Sequence, residues 1–157
     1  MIMTRRRFAV TGGATLLAID ALAQTGQITA ARSIHQEEDF DANPARIYEA
    51  LLDAKQFRAF SGMGADIDRT PGGTFKLFDG QIAGRNIELT VGRLIVQAWR
   101  SSGWPEGIFS IARFDLTPRN MGTRIVFDHT GFPPEAAERL ASGWTEHYWT
   151  RLRKYLA

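Results

Sequence analysis

The spacing of hydrophobic residues changes three times along the chain. Apolar and polar residues alternate over 34–40, which predicts a strand with one solvated face. Asn43-Pro44 then predicts a helix start, because asparagine caps helices and proline fits the first helical position. Apolar residues at helical spacing continue as far as Gly62 and Gly64. Two short helices are therefore expected after the first strand.

From residue 65 onward the apolar residues recur at every second position. Six strands are predicted, over 65–70, 74–78, 81–90, 93–100, 108–117 and 123–130. The segments between them are short and rich in glycine and proline, which indicates antiparallel neighbours. Four of the glycines are expected to supply positive φ angles in turns: Gly72, Gly73, Gly80 and Gly122. On 93–100 both alternating sets are partly apolar, so the inward face of that strand stays open.

A long helix is predicted from Pro133-Pro134-Glu135 to about Leu156, with acidic residues in its first turn and basic residues in its last. Its apolar stripe consists of residues four apart: Leu140, Trp144, Tyr148 and Leu152. Gly143 costs about 1 kcal/mol relative to alanine inside a helix, which suggests close packing against the sheet. The element order predicts an α+β fold, in which a twisted antiparallel sheet of about seven strands wraps around this C-terminal helix.

The first 23 residues have the features of an export signal. Thr4-Arg5-Arg6-Arg7-Phe8 precedes a short apolar run, and Ala21-Leu22-Ala23 offers a cleavage site before Gln24. The paired arginines resemble a twin-arginine signal, and the run is well short of the roughly 20 residues of a membrane span. The predicted organisation is a signal over 1–23, a linker over 24–32 and one domain over 33–157, exported to the periplasm or beyond. The alternatives are an uncleaved basic tail, with a cytoplasmic protein, or a membrane-tethered form.

Composition and charge narrow the class of partner. A chain of 157 residues with 44% apolar and 23% charged residues suggests one globular domain. The net charge of +2 comes from the N-terminal segment, and beyond residue 23 the chain carries 16 basic and 16 acidic residues. A nucleic-acid partner is not expected, because counterion release needs a basic patch. The absence of cysteine excludes disulfides and thiolate chemistry.

A family resemblance rests on an ordered set of glycine and tryptophan motifs between about Glu38 and Leu156. The motifs are Asn43-Pro44, Gly72-Gly73-Thr74-Phe75, Asp79-Gly80, Trp99-Arg100, Trp104-Pro105-Glu106-Gly107, Gly122-Thr123, Gly131-Phe132-Pro133 and Gly143-Trp144. The set resembles the C-terminal domain of the activator of Hsp90 ATPase, a member of the START-like (SRPBCC) superfamily. That resemblance implies the helix-grip fold.

The resemblance leaves two functions open. In eukaryotic co-chaperones a separate N-terminal domain supplies much of the Hsp90 contact, whereas only a signal-like segment is expected before residue 34 here, which disfavours Hsp90 as a partner. Stand-alone bacterial relatives are more similar to small-molecule binding proteins. The first hypothesis is therefore a small hydrophobic or amphipathic ligand between sheet and C-terminal helix. The second is a protein-interaction module that uses the Trp104 turn and the sheet surface, which an exposed Trp104 within an apolar patch would favour. A monomer and a dimer both remain open.

The candidate cavity residues are mostly aromatic. Those proposed for ligand binding are Phe75, Leu77, Ile95, Trp99, Arg100, Trp104, Phe114, Phe127, Trp144 and Tyr148, with Ala112 and Ile125 also expected to face inward. With Trp99 facing in and Trp104 at the mouth, these side chains suit an apolar ligand. Ten phenylalanines and four tryptophans are also enough to fill the space completely.

Candidate catalytic chemistry is sparse. The three histidines lack metal-ligand spacing, and neither Asp66 with Asp68 nor Asp128 with His129 forms a recognisable site. Arg100 suits either a carboxylate clamp or a structural salt bridge. An enzyme is the third hypothesis. It requires a polar pair in the cavity, such as Arg100 or His147 with a carboxylate, and the sequence shows no such pair. No catalytic residue, metal or cofactor is expected.

Overall fold

A computed structural model describes residues 33–157, which form one seven-stranded antiparallel sheet and a set of helices. The strands are β1 Ser33–Phe40, β2 Ala65–Ile67, β3 Thr74–Leu77, β4 Ile82–Thr90, β5 Leu94–Ser101, β6 Ser110–Arg119 and β7 Gly122–Thr130. Their order across the sheet is β1-β7-β6-β5-β4-β3-β2. The predicted α+β fold is confirmed. The signal and linker predicted over 1–32 lie outside the described residues.

The two short helices follow β1 as predicted. Helix α1 spans Pro44–Leu52, and the side chain of Asn43 accepts a hydrogen bond from the N–H of Arg46 at 2.9 Å. Helix α2 spans Ala54–Ser61 and ends at Gly62, whose φ of 74° is left-handed. Among the described helices, none is both long and apolar enough to cross a membrane.

The second strand is shorter than predicted. β2 stops at Ile67, because the carboxylate of Asp68 accepts hydrogen bonds from the backbone and hydroxyl of Thr70 and so forms a turn. Gly72 and Gly80 have the predicted positive φ angles. The prediction is wrong for Gly73 and Gly122, where glycine is needed because a Cβ would collide with the carbonyl groups of Asp68 and Phe40.

The C-terminal helix contains a change of winding that the sequence did not predict. A short 3₁₀ turn, Pro134–Ala136, leads into α3 Ala137–Gly143, a π-helical segment Trp144–Trp149, and α4 Thr150–Leu156. The N–H of Thr150 bonds the carbonyl of Thr145, five residues back. The wider turn brings both Trp144 and Trp149 to the sheet, and their rings stack at 5.9 Å. The prediction of a single four-residue stripe missed Trp149, which is fully buried.

The inward face of the sheet is the predicted one, and on β5 it is the set that contains Ile95 and Trp99. The other predicted inward residues, all buried, are Phe75, Leu77, Ala112, Phe114, Ile125 and Phe127. They form one core with Trp144, Tyr148 and Trp149 from the C-terminal helix. The sheet therefore grips the helix through aromatic rings.

Two glycines on the inward side provide a matched stability test. A Cβ on Gly143 would meet only the ring of His147 at 3.9 Å, so the expected close packing at Gly143 is wrong. A Cβ on Gly84 would collide with the Ala98 carbonyl and the Phe75 ring. Gly143→Ala is therefore expected to raise the free energy of unfolding by about 0.5–1 kcal/mol. Gly84→Ala should lower it by about 1–3 kcal/mol. Urea denaturation measures both, and a destabilising Gly143→Ala would contradict the open space described beside it.

Candidate functional site

The middle of the space between sheet and helix is filled. Phe127 lies 4.3 Å from Trp144 and 4.9 Å from Phe114, measured between ring centroids, and Phe114 packs edge-on against Trp149 at 6.2 Å. Such offset and edge contacts are the favoured aromatic geometries. Phe75, Leu77 and Ile95 are equally enclosed. The filled-core alternative thus describes this region, and a ligand site must lie elsewhere along the helix.

A cavity of about 560 Å³ opens at one end of the grip, where the end of β5 approaches the C-terminal helix. Its lining residues are Met63, Phe78, Gln81, Ile82, Trp99, Ser101, Ser102, Gly103, Arg139, Leu140, Gly143, Trp144, His147 and Tyr148. The volume falls within the range of about 300–1,000 Å³ that is typical of small-molecule sites.

Three of the ten candidate residues line this cavity, namely Trp99, Trp144 and Tyr148. The other seven lie outside the lining: Phe75, Leu77, Ile95, Phe114 and Phe127 are core residues, Arg100 lies near the end of β5, and Trp104 lies in the β5–β6 turn. The other lining residues were not among the ligand-binding candidates, although Leu140 was placed on the apolar stripe and His147 was considered for a polar pair in the cavity. Most of them lie in turns, at strand ends or on the exposed side of the helix, where no apolar alternation marks them.

Phe78 is held in the cavity wall by an unusual backbone. Its φ of 52° is left-handed, and so is the φ of 55° at Asp79. A bulky residue rarely adopts this conformation, which costs on the order of 1–3 kcal/mol. The ring of Phe78 packs against Phe57 at 5.3 Å and Tyr148 at 5.5 Å. The β3–β4 turn therefore places an aromatic ring at the cavity against its own backbone preference.

Trp99 and Trp104 form an aromatic layer beside the cavity. Their ring centroids are 5.7 Å apart, and Trp99 lies at the same distance from Trp144. The indole N–H groups of Trp99 and Trp104 are both buried and have no hydrogen-bond acceptor within residues 33–157. Such a donor carries a desolvation cost of about 1–3 kcal/mol until an acceptor meets it. The pair is therefore a place where an added acceptor would be favourable.

Trp104 is only 7% exposed, so of its two alternatives the surface anchor is excluded and a covering position against Trp99 remains. Arg100 fastens the turn that carries it, since its guanidinium donates to the Trp104 carbonyl at 2.9 Å. The same guanidinium lies over the ring of Phe109 at 5.7 Å. Within the described chain Arg100 contacts no carboxylate within ion-pair distance. In the structure, Arg100 therefore holds the β5–β6 turn in place through this hydrogen bond.

A buried polar chain runs behind the cavity wall. Trp144 donates its indole N–H to Nδ1 of His129 at 3.0 Å, and Nε2 of His129 lies 2.6 Å from the Ser110 hydroxyl. That hydroxyl donates its single proton to the Trp99 carbonyl at 2.9 Å. Nε2 must therefore carry a proton and donate it to Ser110. The chain fixes one tautomer of His129 and connects the two tryptophans of the cavity wall.

The direction of the hydrogen bonds in this polar chain determines which chemistry Ser110 and His129 can perform. His129 is fully buried, and burial lowers its pKa to about 3, so the ring is neutral at physiological pH. A serine nucleophile needs a histidine nitrogen that accepts its proton, whereas here the histidine donates. Ser110 and His129 thus form a structural hydrogen-bond chain and do not have the arrangement of a nucleophile with its base. The inward position of His129 was recognisable in the sequence, because alternation from Phe127 places both side chains on the same face of the strand.

The remaining polar residues of the cavity are Arg139, His147, Gln81, Ser101, Ser102 and Tyr148. Burial raises the pKa of the Tyr148 hydroxyl well above its usual range, and the Trp99 indole N–H, which lies near that hydroxyl but outside hydrogen-bond geometry, opposes this shift. His147 is exposed, and its ring meets Phe78 at 6.2 Å. In the described part of the chain, no three histidine or acidic residues are grouped as a metal site would require.

Comparison with known proteins identifies the fold and the family. The family model described as activator of Hsp90 ATPase homolog 1-like protein matches residues 41–157. The chain belongs to this family. It is 27% identical over 118 residues to the human activator of 90 kDa heat shock protein ATPase homolog 1, covering 75% of this chain and 35% of the relative. The chain thus spans about a third of the length of the curated relatives it matches.

Two solved structures are similar to this chain over most of the sheet and the C-terminal helix. An HSP90 activator from Plasmodium falciparum has a TM-score of 0.77 and 26% identity, covering 80% of this chain and 96% of that one. The Aha1 dimer from Colwellia psychrerythraea has a TM-score of 0.69 and 17% identity, covering 79% and 95%. The second likeness shows the fold alone. Together they confirm the helix-grip architecture of the activator of Hsp90 ATPase homolog 1-like family.

Proposed function

We propose that this protein binds a small, mostly apolar molecule in the cavity at the end of β5. The observation that carries the proposal is a cavity of about 560 Å³ with aromatic and aliphatic walls, bordered by the unpaired indole N–H of Trp99. Ligand sites combine such walls with a few polar groups that fix orientation. The left-handed backbone at Phe78 supports the proposal, since strain of this kind concentrates at functional sites.

Gly143 allows the cavity to be filled without disturbing the core. Because a Cβ there meets open space, Gly143→Leu places an isobutyl group in the cavity, and Gly143→Ala is the matched control. The neutral fluorescent probe N-phenyl-1-naphthylamine is expected to bind the unmodified protein. Gly143→Leu should weaken this binding at least about tenfold, and Gly143→Ala should change it by less than about threefold, because the bulkier group overpacks the site. A fluorescence titration measures all three proteins.

The same titration has outcomes that contradict the proposal. A probe that binds equally well to Gly143→Leu and to the unmodified protein occupies some other surface. A probe that fails to bind the unmodified protein up to its solubility limit argues against any apolar site. Circular dichroism and urea denaturation show whether each variant is folded, so that a loss of binding is assigned to the cavity.

A second candidate function, a co-chaperone-like contact with Hsp90, is favoured by the exposed apolar residues that follow the Trp104 turn. Phe109 is 49% exposed, and Ile108 and Ile111 are exposed beside it. Relatives in the family are named as activators of the Hsp90 ATPase. If this surface binds Hsp90, the protein should stimulate the ATPase of an Hsp90 from the same cells, and Phe109→Ser should abolish the stimulation.

We also propose that the protein acts after export by the twin-arginine route. Support comes from the paired arginines at Arg5 and Arg6 and the small residues before Gln24. An exported protein would meet its ligand in the periplasm, away from cytoplasmic Hsp90. The mass of the protein in the periplasmic fraction, compared with that of the cleaved chain beginning at Gln24, tests this location.

A further inference from the structure

We propose that the ligand is an amphipathic monoanion, with its apolar body in the cavity and a carboxylate bound at the mouth by Arg139. This inference rests on the proposed ligand-binding function and adds the chemical class of the ligand. Three properties of the lining carry it: its charge, the unpaired state of Arg139, and the separation of polar from apolar side chains.

The charge of the lining is of one sign. Arg139 is the only lining residue with a permanent charge, and no aspartate or glutamate is among the lining residues. The other polar groups, such as the His147 ring and the hydroxyls of Ser101 and Ser102, are hydrogen-bonding groups without a permanent charge. An anion placed here meets an opposite charge and no carboxylate that would repel it. One fixed positive charge matches a monoanion better than a dianion.

Arg139 is exposed, and its guanidinium has no ion-pair partner among the described residues. Four arginines outside the cavity are paired with carboxylates: Arg69 bonds Glu49, Arg113 bonds Asp115, Arg124 bonds Asp39, and Arg153 bonds Glu38. Glu135 precedes Arg139 by four residues, a spacing that permits a helical ion pair, yet the two do not pair. The guanidinium fork is therefore available for a carboxylate, which it fits in a bidentate geometry.

The apolar part of the lining is continuous enough to hold a hydrocarbon body. Met63, Phe78, Ile82, Leu140 and Trp144 supply sulfur, ring and aliphatic surface. A purely apolar ligand would leave Arg139 and the serine hydroxyls at the mouth unused. A ligand with one polar end satisfies both parts of the lining at once.

Isothermal titration with three ten-carbon probes tests this assignment. The probes are decanoate and decyl phosphate, each below its micelle concentration, and decan-1-ol below its solubility limit. Decanoate is expected to bind about fivefold to tenfold tighter than decan-1-ol, because it adds a charge-assisted hydrogen bond to Arg139. Arg139→Gln should remove this preference by weakening the binding of decanoate far more than that of decan-1-ol, whereas Arg139→Lys should keep part of it. Arg93→Gln, in the exposed β4–β5 turn, is the control and should leave the preference intact.

The possible results distinguish a failure of the monoanion assignment from a failure of the proposed ligand-binding function. Equal affinity for decanoate and decan-1-ol would overturn the monoanion assignment while keeping the apolar site. Tighter binding of decyl phosphate than of decanoate would also overturn it. A preference for decanoate that survives Arg139→Gln would remove Arg139 from the site. If none of the three probes binds, the proposed function itself fails.

Discussion

His129→Leu is expected to lower the free energy of unfolding by about 2–4 kcal/mol. Leucine is of similar size but leaves the buried indole N–H of Trp144 without its acceptor and removes the donor to Ser110. An unsatisfied buried donor costs about 1–3 kcal/mol, and the polar chain loses its other bond as well. Urea denaturation gives the free energy of unfolding directly.

The matched control is His35→Leu. His35 lies on the outer face of β1, where its exposed ring bonds Asp128 at 2.7 Å. Surface pairs of this kind contribute little, so His35→Leu should change the free energy of unfolding by less than about 1 kcal/mol. Equal losses of the free energy of unfolding in the two variants would mean that the buried polar chain stabilises the fold no more than the surface pair does.

The pH dependence of stability should separate the two histidines as well. The pKa of His129 is lowered to about 3, so between about pH 3 and 6.5 the unfolded chain binds a proton that the folded chain excludes. The stability contributed by neutral His129 is therefore present above about pH 6.5 and is lost as the pH falls. The pKa of His35 is raised by Asp128, so its contribution has the opposite sign and is lost as the pH rises. The difference between the unmodified protein and His129→Leu should shrink steadily from pH 6.5 to pH 4.

Trp149→Ala is expected to lower the free energy of unfolding by about 3–5 kcal/mol. The Trp149 ring is fully buried against Phe40, Phe127 and Trp144. Its truncation leaves a large cavity at the point where the sheet grips the helix. Its indole N–H also donates to the side chain of Gln36 on β1 at 2.7 Å, which ties the first strand to the π-helical segment.

Trp149→Phe divides this loss into its parts. Phenylalanine keeps most of the ring packing but removes the bond to Gln36, so the loss should be about half that of Trp149→Ala. Thr145→Ala, on the exposed side of the same π-helical segment, should be nearly neutral. A Trp149→Ala protein as stable as Thr145→Ala would show that the π-helical segment does not seat Trp149 in the core.

The order of elements was predictable because each has a local cause. Alternation marks the strands, Asn43 caps α1, and the glycine turns separate antiparallel neighbours. The seating of Trp149 was not predictable from a period of 3.6 residues, since it depends on one wider turn.

The cavity was harder to predict than the sheet. Aromatic residues on the inward face were identified correctly, but sequence does not say which of them fill space and which border it, because that depends on packing across the fold. Phe114 and Phe127 fill the middle, whereas Trp99 and Trp144 reach the open end. Met63 and Arg139 carry no pattern along the chain that marks them as neighbours of this cavity. Phe78 enters it through a left-handed turn that its residue type disfavours.

The proposed function places a small molecule in the cavity at the end of β5. Heteronuclear NMR, with N-phenyl-1-naphthylamine added to the labelled protein, tests this placement residue by residue. Shift changes are predicted at cavity residues such as Met63, Ser102, Leu140 and His147, with the amides of Phe109 and Ile111 unchanged. Shift changes confined to Phe109 and Ile111, or none at saturating probe, would contradict this placement.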